Sequence, residues 1–442
     1  MAKIAFIRIA HRDYQTDMSR EKGAEAYNNI KQKGIEYFTN KEPLVDPVSA
    51  RKFASQVMAE NVDGVLLFFD TWAEPSVAMS IVLELKCFPL AIWGTPMFEY
   101  RGRFESTGSF VAIAVFSGAL KRLGIDHEYI HGAVDDKSAT GEAKRFAAVA
   151  GTVKALRATR IGLVGYAAMS IYSGTFDHLK LRGIIGPEVL QIDTYSLIKL
   201  AEAADEKQYR QFETRVKKCA VIGKDVKPGH MEKEGRLYYG IRELAKKHEL
   251  DAINVKCQYE LSQDWGCIAC PALSLTADEG LISGCEGDAL TTTSQVILNY
   301  LSGQSIPYGD ILNVQDGEAL FSACGFAPYS TAQDPSQVEL HDIGHAGFNG
   351  PVVSLVMKKG KVTYMRLNET DCGYVMGFGT GEGLDTELRQ GRFPALKFRI
   401  NGSQDNFIRS LHSQHYALCW GDYTGHLKQL CKYLKIDHFL VD

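Results

Sequence analysis

Three carboxylates and one imidazole carry the chemistry that this sequence offers. Glu286 and Asp288 stand in Gly284-Cys285-Glu286-Gly287-Asp288-Ala289, just ahead of an apolar, helix-like run. Asp310 stands in Tyr308-Gly309-Asp310-Ile311, twenty-four positions after Glu286. His415 lies near the C-terminus, in Gln414-His415-Tyr416-Ala417-Leu418-Cys419-Trp420-Gly421-Asp422. A Glu, an Asp and a neutral imidazole suit a divalent metal that keeps open positions for substrate oxygens. If Glu286, Asp310 and His415 meet in space, the chain is a metal-dependent enzyme for a hydroxyl-rich substrate.

Each of these residues also has a plainer reading. Asp288 reads as an N-terminal helix carboxylate that complements the macrodipole, and Glu286 can be read the same way. Asp310 follows Pro307-Tyr308-Gly309, where it opens a strand or closes a turn. His415 sits in an apolar run, as a satisfied core histidine would. Their joint arrangement, rather than any one of them, points to a site.

Other polar groups are candidates for holding substrate. Arg8 and His11 come at the end of the first strand, the edge where α/β sheets bind ligands. Lys256 ends the run Ala252-Ile253-Asn254-Val255-Lys256 and could hold a sugar hydroxyl. Trp72 could pack on a sugar ring, whereas Trp93 reads as core. His412 is a further substrate-binding candidate, and with Asp422 it could orient His415.

The elements that must position these groups follow from periodicity. Residues 4–9, 35–38, 64–69, 90–93 and 128–130 read as strands, alternating with helical spacing over 20–33, 50–60, 75–85 and 109–123. This alternation predicts a doubly wound parallel sheet over 1–157. A second α/β domain is expected over 158–305. It has strands at 160–166, 189–192 and 252–256, charged helices around 201–220 and 234–248, and a helix from about 288 to 301 stopped by Ser302-Gly303. From 306 to 442 short β-prone pieces (352–357, 361–367, 395–400) alternate with Gly, Pro, Asn and Asp. They predict a β-rich, antiparallel or barrel-like C-terminal domain, with one last helix over 425–434.

Length and composition agree. A chain of 442 residues exceeds one ordinary core. Its formal net charge of −4 offers no basic field for nucleic acid. The first residues read as a strand rather than a signal peptide, and no apolar run reaches the roughly 20 residues that span a bilayer. Ten cysteines are then expected as thiols in a cytoplasmic protein. Two patterns are set aside. Cys267-Ile268-Ala269-Cys270 lacks the second close pair of a zinc site. The glycine-dense run 377–383 is not placed between a strand and a helix, and reads as a flexible loop.

The chain resembles the L-fucose isomerase and L-arabinose isomerase superfamily, closer to the fucose isomerase side. The resemblance rests on Glu286-Gly287-Asp288 before a helix, on Tyr308-Gly309-Asp310-Ile311, and on His415 followed by Trp420-Gly421. Weaker likeness runs through Phe88–Gly94, Arg160–Gly165 and Gly186–Asp193. It implies Glu286, Asp310 and His415 as metal ligands, and a homo-oligomer, plausibly a hexamer, whose pockets are completed by a neighbouring subunit. The second metal histidine of the arabinose branch has no counterpart in Phe321-Ser322-Ala323-Cys324-Gly325-Phe326-Ala327-Pro328. That favours three ligands and speaks against L-arabinose.

Aldose–ketose isomerisation moves a proton between neighbouring carbons through a cis-enediol. A divalent ion on both sugar oxygens stabilises the enediolate charge, and carboxylates beside it serve as base and acid. Glu286 and Asp310 are therefore expected to act both as ligands and as proton carriers. Mn²⁺ suits hard oxygens plus one imidazole, with Mg²⁺ or Co²⁺ as alternatives. The sugar stays open among L-fucose-like, other deoxy and C6-modified (for example sulfonated) aldoses. A non-catalytic sugar-binding or sensing protein, and a metal-dependent hydrolase or lyase, are the competing readings.

Overall fold

Near-continuous runs of Ile, Val, Leu and Phe make strands only where both faces of a sheet are covered. The computed structural model, which describes residues 2–343, 348–388 and 392–442, places them so. The chain separates into two compact units, Met1–Ala155 and Leu156–Asp442.

In the first unit five parallel strands run in the order Ile35–Thr39, Ala2–Ile9, Gly64–Phe69, Leu90–Gly94, Glu128–His131. Every residue of Gly64–Phe69 and Leu90–Gly94 is buried. Helices Asp17–Ile30, Pro47–Ala59, Pro75–Leu85 and Ser109–Arg122 form the crossovers. Local chemistry sets their starts. Thr16 and Ser19 make a reciprocal capping box, and Asp46 caps the next helix ahead of Pro47. The strand order reverses beside Ala2–Ile9, the place where open α/β sheets take ligands.

The second unit holds a four-stranded parallel sheet in the order Ile282–Cys285, Ala252–Val255, Arg160–Val164, Glu188–Ile192. It also holds a seven-stranded sheet in the order Gly360–Thr370, His415–Trp420, Tyr308–Gln315, Glu318–Ser322, Ala395–Ile400, Gly373–Gly383, Asp437–Leu440. Gly360–Thr370 also pairs with Gly373–Gly383, so the first six strands close into an antiparallel barrel. The expected α/β architecture with a barrel-like C-terminal part is thus the observed one. Helix Ala289–Ser302 joins the two sheets. It is capped by Asp288 and ended by Gly303 at φ 68°, as the sequence signals. Gln295 ties it to the Ser283 and Ile306 carbonyls, and Ser294 Oγ accepts from Leu367 N in the barrel.

Two expectations need correction, and one element was not foreseen. The glycine-dense run 377–383 is not a loop but part of strand Gly373–Gly383. Side chains at its glycines would collide with Phe439, Tyr364, the Val441 carbonyl and Phe398, so glycine here serves close packing inside the barrel. The helical stretch 201–220 is two helices, Thr194–Glu202 and Glu206–Val216, because Asp205 and Gln208 form a capping box that starts a new one. The last strand, Asp437–Leu440, had no alternating pattern to reveal it and pairs in parallel with Gly373–Gly383.

Candidate active site

The Glu286-Gly287-Asp288 turn leaves the end of strand Ile282–Cys285 in a conformation that its neighbours must hold. Glu286 has φ 62° and Gly287 φ 72°, two successive left-handed residues. For a glutamate that conformation costs on the order of 1 kcal/mol or more and persists only where the surroundings impose it. Asn254, on the adjacent strand and buried, imposes it. Its Oδ1 accepts from Gly287 N at 2.7 Å, and its Nδ2 donates to the Cys285 carbonyl at 2.9 Å and to Thr292 Oγ1 at 2.8 Å. The Ala168 amide donates to the Glu286 carbonyl at 2.9 Å. A Cβ at Gly287 would collide with the Tyr166 carbonyl oxygen.

His415, first residue of its barrel strand, meets all three carboxylates. Its Nε2 lies 3.3 Å from Glu286 Oε2 and 3.5 Å from Asp310 Oδ1, while Nδ1 lies 2.9 Å from Asp288 Oδ2. Asp310 pairs with His415 in the antiparallel register of strands Tyr308–Gln315 and His415–Trp420, so the barrel itself sets their spacing. The Tyr308 hydroxyl is 3.2 Å from Nε2. The side chains of Glu286, Asp288 and His415 are 7%, 1% and 1% exposed, whereas Asp310 is 29% exposed and forms the open side.

Asp288 does more than cap a helix. It accepts from Thr291 N at 2.9 Å, as a cap should. It also accepts from Arg366 Nη1 at 2.8 Å and takes the Nδ1–H of His415. Arg366 is fully buried and spends its remaining donors on Thr291 Oγ1, the His415 carbonyl (3.0 Å), the Ser173 carbonyl (2.5 Å) and Asn368 Oδ1 (3.2 Å). An ionised Asp288 therefore fixes the imidazole tautomer and leaves Nε2 to face Glu286 and Asp310.

Electrostatics follow from this packing. Burial alone would lower the His415 pKa, but hydrogen bonds and charge from Asp288 and Glu286 outweigh it and raise it to about 9. Burial would raise Asp288, yet Arg366 and His415 hold it well below the ordinary range. Glu286 is also lowered, because His415, Cys324 and Tyr308 outweigh its burial. Asp310 goes the other way. Burial, helped by the charges of Glu286 and Asp288 and opposed by His415, lifts it to about 6.

The donor set is that of a hard divalent ion. Two ligands at right angles on an ion, each about 2.1 Å away, stand about 3 Å apart. The separations from Nε2, 3.3 and 3.5 Å, are close to that. Among the described residues no such group has the arrangement of a finished metal site. The residue types and the 3.3 and 3.5 Å separations suit such an ion, with the carboxylates within ion-pair range of the imidazole.

The remaining candidates fall into separate groups. Arg8 pairs with Asp70 at 2.5 Å within the first unit, and its amide is held by Asn40. His11 stacks on Tyr14 at 4.3 Å and lies 5.6 Å from Trp72, so those two make an aromatic group in that unit. Trp93 is core, its Nε1 donating to the Gly132 carbonyl. Lys256 pairs with Glu260 at 2.6 Å under the Tyr166 ring. His412 packs on Phe439 at 4.4 Å and lines a cleft of about 690 Å³ with Ser173, Leu290 and Asn368. Asp422 does not orient His415; it holds Lys361 at 2.7 Å and Thr424, because it turns outward past the strand end. Asp288 takes the role given to it. All ten cysteines are free, and Cys324 contacts Glu286. Among the described residues no helix is long and apolar enough to cross a membrane.

Sequence reasoning missed Arg366, Asn254 and Tyr308 as parts of this site. Arg366 gives a signal in hindsight. An arginine within Val362-Thr363-Tyr364-Met365-Arg366-Leu367, a strand buried along its length, has to find anionic company.

No family model matches the chain. Curated relatives do. It is 24% identical over 439 residues to the sulfoquinovose isomerase of Alkalicoccus urumqiensis, covering 97% of each chain. It is 25% identical over 394 residues to that of Priestia megaterium, covering 87% of each. A solute-binding protein from Agrobacterium vitis bound with alpha-D-tagatopyranose aligns at a TM-score of 0.18 and 14% identity, over 70% of this chain and 91% of that one. That likeness is too slight to bear on fold or function. The end-to-end similarity is thus to sugar isomerases.

Proposed function

We propose that this chain is an aldose–ketose isomerase for a sugar sulfonated at C6, sulfoquinovose or a close analogue. The observation that carries it is the convergence of Glu286, Asp310 and His415 in a chain similar throughout to sulfoquinovose isomerases. Membership of the fucose isomerase-like superfamily, a homo-oligomer and a cytoplasmic location go with this reading.

Glu286, Asp310 and His415 would hold the ion, Mn²⁺ by preference. When bound it supplies Lewis-acid stabilisation of negative charge on the two reacting sugar oxygens. The chain's own groups do the rest. Asp288 and Arg366 hold the imidazole by its far nitrogen. Asp310, on the open side, and Glu286, in the wall, carry the proton. One carboxylate removes the C2 proton of the open-chain aldose while the other, in its acid form, protonates O1, giving a cis-enediol. The first then delivers a proton to C1 while the second takes back the O2 hydroxyl proton as the ketone forms, so both carboxyl groups end as they began. C2 is oxidised and C1 reduced, so no external redox partner is needed. Burial of Glu286, Asp288 and His415 limits access of bulk water to the enediolate, while Asp310, 29% exposed, lets the carried proton exchange with solvent before it is returned.

The test is turnover of sulfoquinovose in deuterated water with Mn²⁺ present. Formation of the ketose with solvent deuterium at C1 supports the reading. Cleavage products, or an unchanged sugar, contradict it.

A further inference from the structure

The relatives' substrate name implies an anion remote from the reacting carbons, so the chain needs a cation placed one sugar length from its metal donors. Arg366 is not that group, because its guanidinium is committed to Asp288, Thr291, Asn368 and two carbonyls. Lys256 is placed differently. Val255 and Cys285 are partners across neighbouring parallel strands, so Lys256 and Glu286 are the next residues on each. Both leave the same carboxyl edge of the sheet, where such sheets take ligands.

Three features of this lysine suit ligand exchange rather than a permanent ion pair. Its side chain is 0% exposed; Glu260, which neutralises it at 2.6 Å through a buried Oε2, is 35% exposed over the rest of its side chain and so borders water. The ammonium lies 3.8 Å from the Tyr166 ring centre and 5.3 Å from that of Tyr259, two half-exposed aromatics that would flank an incoming group. The segment holding Glu260 is unfinished in its bonding. Tyr259 sits at φ 68°, and both Gln258 Oε1 and Trp265 Nε1 are buried without a hydrogen-bond partner. Orphaned buried polar atoms and a strained tyrosine mark a segment that gains contacts when something else arrives.

Resting on the isomerase reading, we infer that Lys256 is the sulfonate anchor, and that the substrate's sulfonate takes the place of the Glu260 carboxylate on its ammonium group. A sulfonate is anionic at every physiological pH, and its three oxygens match the three N–H donors of a lysine. A neutral 6-hydroxyl cannot displace a carboxylate from a buried ammonium. The exchange therefore selects for sulfonated sugars.

The experiment compares wild type, Lys256→Met and Glu260→Gln, all Mn²⁺-loaded. Turnover of sulfoquinovose and of glucose is measured, with calorimetric binding of methanesulfonate as the probe. Lys256→Met is expected to lower the sulfoquinovose-to-glucose ratio of kcat/KM by at least about 100-fold, the usual loss for a buried charge partner. It should also abolish methanesulfonate binding. Glu260→Gln, which removes the competitor, should tighten methanesulfonate and lower KM for the sulfo-sugar. An ion pair with only a structural role would make both variants less stable and shift neither binding value. A Lys256→Met ratio within about threefold of wild type overturns the inference and leaves the isomerase reading standing. If wild type makes no ketose, the isomerase reading fails, and methanesulfonate still decides. Binding to wild type but not to Lys256→Met upholds the anchor, and equal or absent binding rejects it.

Discussion

Asp288 Oδ2 lies 2.9 Å from His415 Nδ1, although 127 positions separate the two residues, and both side chains are almost wholly buried. A helix cap and a barrel strand thereby become one unit. The carboxylate chooses which imidazole nitrogen carries hydrogen, and so which one is left for the Glu286 and Asp310 side of the cluster.

Replacing Asp288 with Asn keeps a good helix cap but removes the charge that holds the imidazole. Weakening an outer partner of a metal histidine typically costs 10–100-fold in affinity, and about that loss is expected for Mn²⁺. Free Mn²⁺ followed by electron paramagnetic resonance during titration measures it. Affinity equal to wild type would show that the contact does not position His415.

Arg366→Met should destabilise the fold by about 3–5 kcal/mol, since it strands a buried Asp288 carboxylate. Urea unfolding of the metal-free protein is the measurement. A loss below about 1 kcal/mol would mean that His415 alone neutralises Asp288.

Gly287→Ala tests the turn that carries Glu286. The new methyl group meets the Tyr166 carbonyl oxygen, and the residue must stay at φ 72°. Both the thermal midpoint and Mn²⁺ affinity should fall, more than for Gly303→Ala at the other end of the same helix, where nothing stands in the way. Equal effects of the two substitutions would remove the special role of the turn.

The metal-free chain should show a specific pH dependence. His415 is raised from 6.5 to about 9 by its carboxylate neighbours, so the folded state binds that proton more tightly than the unfolded state. The stabilisation is whole below the unfolded value near 6.5 and is lost as pH rises through about 9. Asp310, raised to about 6, has the same sign at lower pH, fading between about 4 and 6. The stability difference between wild type and His415→Gln, from urea unfolding with chelator, should shrink across the alkaline window. A difference that stays flat would show that His415 is neutral in the fold.

The parts of this arrangement legible in the sequence are those with a local cause. Strands such as Gly64–Phe69 announce themselves by composition, and helix Ala289–Ser302 by Asp288 ahead of it and Gly303 behind it. Glu286, Asp310 and His415 were legible as candidates from their residue types, and as a set through a motif resemblance, because nothing local tells a strand-opening Asp310 that it faces His415 across a barrel register. What stayed hidden depends on contacts made far along the chain. Asp288 looks like any cap until Arg366, 78 positions on, arrives beside it. Gly377, Gly379 and Gly381 read as a loop because the side chains that need their space belong to other strands.

The most direct test is a crystal of the chain grown with Mn²⁺ and sulfoquinovose, with anomalous diffraction recorded at the manganese edge. The account predicts one strong anomalous peak bonded to Glu286, Asp310 and His415 Nε2, with two sugar oxygens completing its shell. A peak elsewhere, or a saturated crystal in which those side chains still bond to one another with no ion among them, would contradict it.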